Sequence, residues 1–188
     1  FILAGELMGG SGILDRIMSF SRMIAGGIRG SVAQVTILVS MIFGWITGSG
    51  VAGASAVGSM MIPTASKAYG NSGFACAVTA CSSTVGPIIP PSVPMIIYAL
   101  VAQNVSVGGL FAAGVVPGLL VGLGMMAIVY LIARRRNYPA DKGSYTLRDR
   151  FLISRKFLIA LLLPVIMVGG IVSRVFTPGG SGAIAVLY

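Results

Sequence analysis

Ser82-Ser83-Thr84-Val85-Gly86-Pro87-Ile88-Ile89-Pro90-Pro91-Ser92 interrupts an apolar stretch that runs from residue 72 to residue 103. Uninterrupted, the stretch would form one helix of roughly 32 residues, well beyond the roughly 20 that cross a bilayer. Proline lacks an amide proton, and its ring clashes with the preceding turn. Three prolines and a glycine between positions 86 and 91 do not fit one continuous helix. Residues 67–105 therefore read as a single crossing made of two half-helices, with an extended break over 82–92.

A second interruption lies upstream. Residues 31–66 hold two apolar runs joined by Thr47-Gly48-Ser49-Gly50. Each run is shorter than a full crossing needs, and no charge or aromatic belt marks their junction. Arg29 and Lys67 flank the pair. The pattern predicts a re-entrant helical hairpin with its tip at 47–50, entering and leaving the membrane by one face. Lys67 and Arg29 read as interface anchors, and Trp45, near the tip, as a packing residue.

Composition places both interruptions in lipid. The chain is 56% hydrophobic and 9% charged, against about 25% charged for a soluble domain. Residues 68–133 carry no formal charge, and Lys67 is the only charge between Gly30 and Ala133. A charge at the bilayer centre costs at least about 2.5–3.5 kcal/mol, so a lipid-embedded helical bundle has reason to be built this way. The net charge of +9 gathers at the ends of apolar runs, as the positive-inside rule requires. It is not read as a nucleic-acid surface.

Around the two interruptions the chain divides as follows. Residues 1–10 read as the end of a membrane helix, closed by Gly9-Gly10, with Glu6 as an interfacial cap in preference to a proton or ion site. Residues 11–30 form an amphipathic helix with Ile13, Ile17, Phe20 and Ile24 at helical spacing. It reads equally as a helix lying at the membrane surface or as a connector between spans. Residues 106–134 make a plain membrane helix. Its Gly114, Gly118 and Gly122 permit close helix packing. Arg134-Arg135-Arg136 ends that helix, residues 135–156 read as a basic cytoplasmic loop, and 157–188 as a further span broken by Thr177-Pro178-Gly179-Gly180. With that loop inside, the hairpin opens to the cytoplasm and the broken crossing ends outside near Asn104. Phe1 and Tyr188 both lie within apolar runs, so the chain reads as an internal piece of a longer one.

The residues exclude several chemistries. With no histidine, neither a histidine-ligated zinc site nor a histidine-based triad can be built. No acid lies between Asp15 and Asp141, which leaves an intramembrane protease without its carboxylates. Cys76 and Cys81, about 140° apart on a helix, read as two small apolar residues.

Non-helical backbone at membrane depth survives only where protein or a wet cavity satisfies it. Discontinuous transporter helices provide a use for it: half-helix N-termini face anions, while free carbonyls and helix C-termini coordinate sodium. Thr47, Ser49, Ser82, Ser83 and Thr84 supply hydroxyls, and Gly48, Gly50 and Gly86 free the carbonyls around them. Hard cations take such oxygen ligands. Any one of these Ser or Thr residues is as well explained by hydrogen bonds to a helix end. Taken together, the two interruptions point to an ion and substrate site. Its candidate residues are Thr47, Gly48, Ser49, Gly50, Ser82, Ser83, Thr84, Gly86 and Pro87, with Ser49, Thr84 and Gly86 as the candidate sodium ligands. Gly86-Pro87 and Pro90-Pro91 chiefly shape the break.

Phe1-Ile-Leu-Ala-Gly-Glu-Leu-Met8, Gly48-Ser49-Gly50-Val51-Ala52, the 82–92 run and Phe176-Thr177-Pro178 resemble the large membrane subunit, DctM-like, of tripartite ATP-independent periplasmic (TRAP) transporters. The 82–92 run is long and unusual enough to be specific. The resemblance implies an all-α polytopic elevator-type transporter of the bacterial or archaeal inner membrane, built from two inverted repeats. This chain would hold the first repeat and the start of the second. The resemblance also implies a small membrane subunit and a periplasmic substrate-binding protein as partners. The implied activity is sodium-coupled import of carboxylate-bearing solutes such as C4-dicarboxylates or sialic acids. Sodium is then the coupling ion, and no other cofactor is expected. Gly53 departs from the family pattern, where an acid follows Val-Ala. The alternatives from the residues are an elevator-type anion or dicarboxylate symporter without a binding protein, and a structural membrane protein whose breaks serve packing.

Overall fold

The computed structural model describes residues 12–102, 104–141, 147–172 and 180. The expected helix end at 1–10 with Glu6, and the Phe176-Thr177-Pro178 motif, lie outside the described residues. Among the described residues seven helices follow one another: α1 (Ile13–Ala25), α2 (Ser31–Thr47), α3 (Gly50–Tyr69), α4 (Ser72–Ser83), α5 (Val93–Ala102), α6 (Val107–Arg135) and α7 (Leu147–Val172). No strand occurs among the described residues.

Local chemistry sets the boundaries. Gly30 and Gly48, both left-handed, bracket α2, and the Gly48 amide closes the last turn on the Gly44 carbonyl at 2.7 Å. Ser49 is extended and caps α3, its hydroxyl accepting from the Ala52 amide. Asn71 caps α4 by accepting from the Phe74 amide at 2.9 Å. Each cap satisfies a helix-end amide that has no partner within its own helix.

Helix α2 is the centre of the molecule. Thirteen of its 17 residues are buried, and both apolar clusters use it. One joins α2 through Val35, Val39 and Phe43 to Ile17 of α1, Val57 and Met61 of α3 and Phe157 of α7. The other joins it through Ala33, Ile37 and Met41 to Val78 of α4, Val85 and Ile89 of the break and Val129 of α6. Gln34 adds a polar tie, its amide donating to the Met126 carbonyl of α6 at 2.8 Å. Gly114, Gly118 and Gly122 are buried on α6. A Cβ at Gly114 would lie 2.6 Å from the Ile88 carbonyl oxygen, and one at Gly122 would meet the Met41 side chain. The opposite face of α6 exposes Val116, Leu120, Leu123, Ile128 and Leu131. Among the described residues α6 alone is long and apolar enough to cross a bilayer.

Both ends of the α2–α3 pair meet the chain just after α6. The Gly30 amide donates to the Pro139 carbonyl, and Tyr69 stacks on Tyr138 at 4.3 Å between ring centroids. The pair therefore starts and finishes at the Arg135 end of α6.

Two expectations shift. Residues 147–156, expected as loop, are the first turns of α7. Their charges resembled a solvated linker, but Leu, Arg and Phe are compatible with helix, and Asp149 sits in the first turn where the helix dipole favours it. On α1 the buried stripe is Leu14, Ile17, Ser21 and Ala25, while Ile24 is exposed. Small residues at the seam let α1 approach its neighbours closely.

Candidate functional site

The tip of the α2–α3 pair and the break between α4 and α5 come together. Inside the break, one-turn hydrogen bonds continue from Thr84 to Ile89. Pro90 and Pro91 then end the turns. The Ser92 hydroxyl donates back to the Pro87 carbonyl at 2.6 Å and accepts from the Met95 amide in the first turn of α5. The break, expected to be extended over 82–92, is instead compact and internally bonded: Ser82 and Ser83 still belong to α4, and the turns run on until Pro90 and Pro91 stop them. The Val93 amide reaches the Gly48 carbonyl at 3.4 Å. Gly48 also lies so close to Pro91 that a Cβ there would collide with the Pro91 carbonyl oxygen.

Between tip and break lies a cleft of about 540 Å³ lined by Gly48, Ser49, Gly50, Val51, Ala54, Ala80, Ser83, Thr84, Pro87, Val93 and Pro94. Among the described residues no ionisable side chain lines it. Four helix ends border it instead: the C-termini of α2 and α4, and the N-termini of α3 and α5. The first two present partial negative charge and the last two partial positive charge. One cleft therefore has ends suited to a cation and ends suited to an anion.

Six of the nine sequence-predicted site residues line this cleft: Gly48, Ser49, Gly50, Ser83, Thr84 and Pro87. The other three lie behind it. The Thr47 hydroxyl is buried and donates to the Phe43 carbonyl at 3.1 Å. Ser82 is fully buried and bonds Ser40 of α2 at 2.9 Å. Gly86 presses on Gly44, where a Cβ would lie 2.5 Å from the Gly86 Cα. A Cβ built on Gly86 would in turn lie 3.5 Å from the Ser49 carbonyl oxygen and 3.4 Å from that of Ser83. Backbone oxygens from tip and break thus approach the same point. Gly50 permits this, since a Cβ there would sit 3.0 Å from the Ser83 oxygen.

The hydroxyls of Ser83 and Thr84 are alike in what they have free. Ser83 donates to the Thr79 carbonyl at 2.8 Å, and Thr84 to Cys81 at 2.7 Å. Each still has lone pairs to offer a cation. Gly53 is buried, and a Cβ there would lie 3.8 Å from the Ser83 hydroxyl oxygen, so a side chain at 53 would be directed at the same group. No cluster of acids, histidines or cysteines suited to a metal occurs among the described residues. The oxygens that the described residues offer an ion in the cleft are therefore neutral.

Sequence reasoning did not single out Ser40 and Gly44. They were legible as small residues four apart in an apolar run, matched by Ser82 and Gly86 at the same spacing. It also passed over Val93 and Pro94, the walls supplied by α5.

The family model for the "Tripartite ATP-independent periplasmic transporter, DctM component" matches residues 1–188. The chain belongs to this family. It is 40% identical over its whole length to the sialic acid TRAP transporter large permease protein SiaM of Vibrio cholerae, covering 44% of that protein. It is also 40% identical to the C4-dicarboxylate TRAP transporter large permease protein DctM of Pseudomonas aeruginosa, again covering 44%. Identity to the 2,3-diketo-L-gulonate TRAP transporter large permease protein YiaN of Escherichia coli is 35%, over 44% of its length. The chain thus spans less than half the length of these relatives. As a DctM-family chain it belongs with transport permeases and not with enzymes.

Proposed function

We propose that this segment carries one half of the transport site of a sodium-coupled secondary transporter for carboxylate-bearing solutes. The observation that carries the reading is the meeting of four helix ends at one uncharged cleft. The N-termini of α3 and α5 favour a carboxylate. The C-termini of α2 and α4, with the hydroxyls of Ser49, Ser83 and Thr84 and the Ser49 and Ser83 carbonyls, favour sodium. The solutes named for the three relatives all bear a carboxylate.

The α2–α3 pair is the re-entrant hairpin of this reading. Its two ends lie together beside Tyr138 and Pro139. Helix α2 has 17 residues and reaches about 25 Å, short of the roughly 30 Å of a bilayer core. Helix α3, with 20 residues, would by length alone reach the full core, so in this reading the tip's place inside the membrane rests on Met41 and Ile89 lying beside Gly122 and Gly118 near the middle of α6. The full chain would cross the inner membrane of a bacterium or archaeon several times, carry a second, inverted repeat and move its site as an elevator. It would work with a small membrane subunit and a periplasmic substrate-binding protein. Sodium seated between tip and break would order both and complete the carboxylate site.

Uptake by the full-length transporter in proteoliposomes tests the sodium assignment. Thr84→Val removes an exposed hydroxyl at near-constant shape. Ser49→Ala removes the tip hydroxyl, along with a helix cap worth about 1 kcal/mol. Each is expected to raise the half-activating sodium concentration several-fold while the protein still inserts. Sodium activation unchanged in both variants overturns the assignment.

A further inference from the structure

We propose that Ser40 and Ser82 act as a positioning pair that sets how the break sits against the hairpin tip. The inference builds on the site read above, yet part of its test needs no sodium. Ser40 lies on α2 and Ser82 on α4, and their hydroxyl oxygens are 2.9 Å apart with both side chains buried. Ser82 also lies 3.1 Å from the Thr79 carbonyl oxygen, so the pair is tied into the last turn of α4. One helical turn further, Gly44 of α2 meets Gly86 of the break backbone to backbone. The two helices thus run in the same direction, with matching residues at the same interval. Each contact has a consequence for the cleft. Ser83, next to Ser82, faces it, and the Ser49 and Ser83 carbonyls both approach Gly86.

Apolar side chains tolerate a slide of one helix along another, because packing has no fixed direction. A buried hydroxyl does not, since a slide leaves it without its partner in an apolar interior. Moving α4 by one residue along α2 would separate Ser40 from Ser82 and turn Ser83 away from the tip. The hydroxyl bond therefore adds a directional selection of register to the close Gly44–Gly86 contact. Such selection of register is the best-attested use of a buried polar pair.

Two readouts test this on the full-length transporter with Cys76 and Cys81 replaced by alanine. The first is sodium-free. Cysteines at Val51 and Ala80, on two helices that line the cleft, are cross-linked with a short bismaleimide in membranes. Ser40→Ala and Ser82→Ala are each expected to slow cross-linking roughly fivefold, the scale of one hydrogen bond. The double variant is expected to match the single ones, because one shared bond is lost only once. Ser40→Thr keeps the hydroxyl and should hold the original rate. Ser59→Ala removes an exposed hydroxyl bonded within its own helix and should change nothing. The second readout is the half-activating sodium concentration for uptake, expected to rise with the same ordering. A lowered melting temperature with the cross-linking rate unchanged would make the pair ordinary packing and overturn the proposal, as would additive effects in the double variant. If the parent shows no sodium response while cross-linking still follows the pair, the sodium reading fails and the positioning role stands.

Discussion

Gly48 and Gly70 share a backbone conformation, with φ of 63° and 62°, but not an environment. A side chain at Gly70 would meet nothing within 4 Å, whereas one at Gly48 would run into the Pro91 carbonyl oxygen. The left-handed conformation costs a residue with a Cβ about 1–2 kcal/mol, and that alone is expected for Gly70→Ala, with transport retained. Gly48→Ala carries the same strain and also pushes the break off the tip. Its uptake is expected to fall by roughly tenfold or more, which each additional 1.4 kcal/mol would produce. Thermal unfolding and uptake measured side by side separate the two effects. Equal transport in both variants would show that tip and break need not touch. The same scale explains why Ser82 and Ser83 could not be told apart from sequence. Adjacent helical residues point about 100° apart, so one faces the cleft while the other faces α2. Composition names both, but the phase depends on a partner helix that begins 41 residues upstream of Ser72.

At the scale of elements, the interruptions were legible because their cause is local. Proline removes amide protons wherever it stands, and Gly48 and Ser49 end one helix and cap the next within two residues. The start of α7 was not legible, since arginines and aspartates near 147–156 suit a solvated helix as well as a loop. The glycines of α6 allow a sharper comparison. Gly114 lies against the Ile88 carbonyl, while a Cβ at Gly124 would meet nothing within 4 Å. Gly124→Ala is expected to stabilise the full-length chain by up to about 1 kcal/mol through helix propensity. Gly114→Ala should instead destabilise it by about 1–3 kcal/mol through overpacking. Melting temperatures shifting in the same direction would mean that α6 does not seat the break. Tyr69 provides a second element-level joint. Its hydroxyl accepts from the Ala33 amide at 3.0 Å, in the first turn of α2 where no helical carbonyl is available, while its ring stacks on Tyr138. Tyr69→Phe keeps the stack and loses the bond, so a loss of about 1 kcal/mol is expected. Tyr69→Ala should cost distinctly more, because the ring joins α3 to the segment after α6.

Across the whole molecule, the question is how this bundle sits in a bilayer. Helix α6 supplies the ruler. Its 29 residues extend about 43 Å, more than the roughly 30 Å core, and Arg134, Arg135 and Arg136 mark one end. Along it, Gly30 lies beside Ala133, the Gln34 amide beside Met126, Met41 beside Gly122 and Ile89 beside Gly118. The hairpin therefore climbs α6 from the arginine end toward its middle, and the tip meets the break there. Charge patterning alone assigns a side to the arginines, whereas the height of the tip along α6 comes from the contacts between helices. Single cysteines in the full-length chain, freed of Cys76 and Cys81, test the placement with an impermeant maleimide. Gly27→Cys and Arg136→Cys flank the two sequence-distant segments joined by the Gly30–Pro139 bond, and both should label only from the cytoplasmic side. Asn104→Cys, before the start of α6, should label only from the opposite side. If Gly27 and Arg136 labelled from different sides, the α2–α3 pair would not return to the face it left, and the re-entrant hairpin would have to be abandoned.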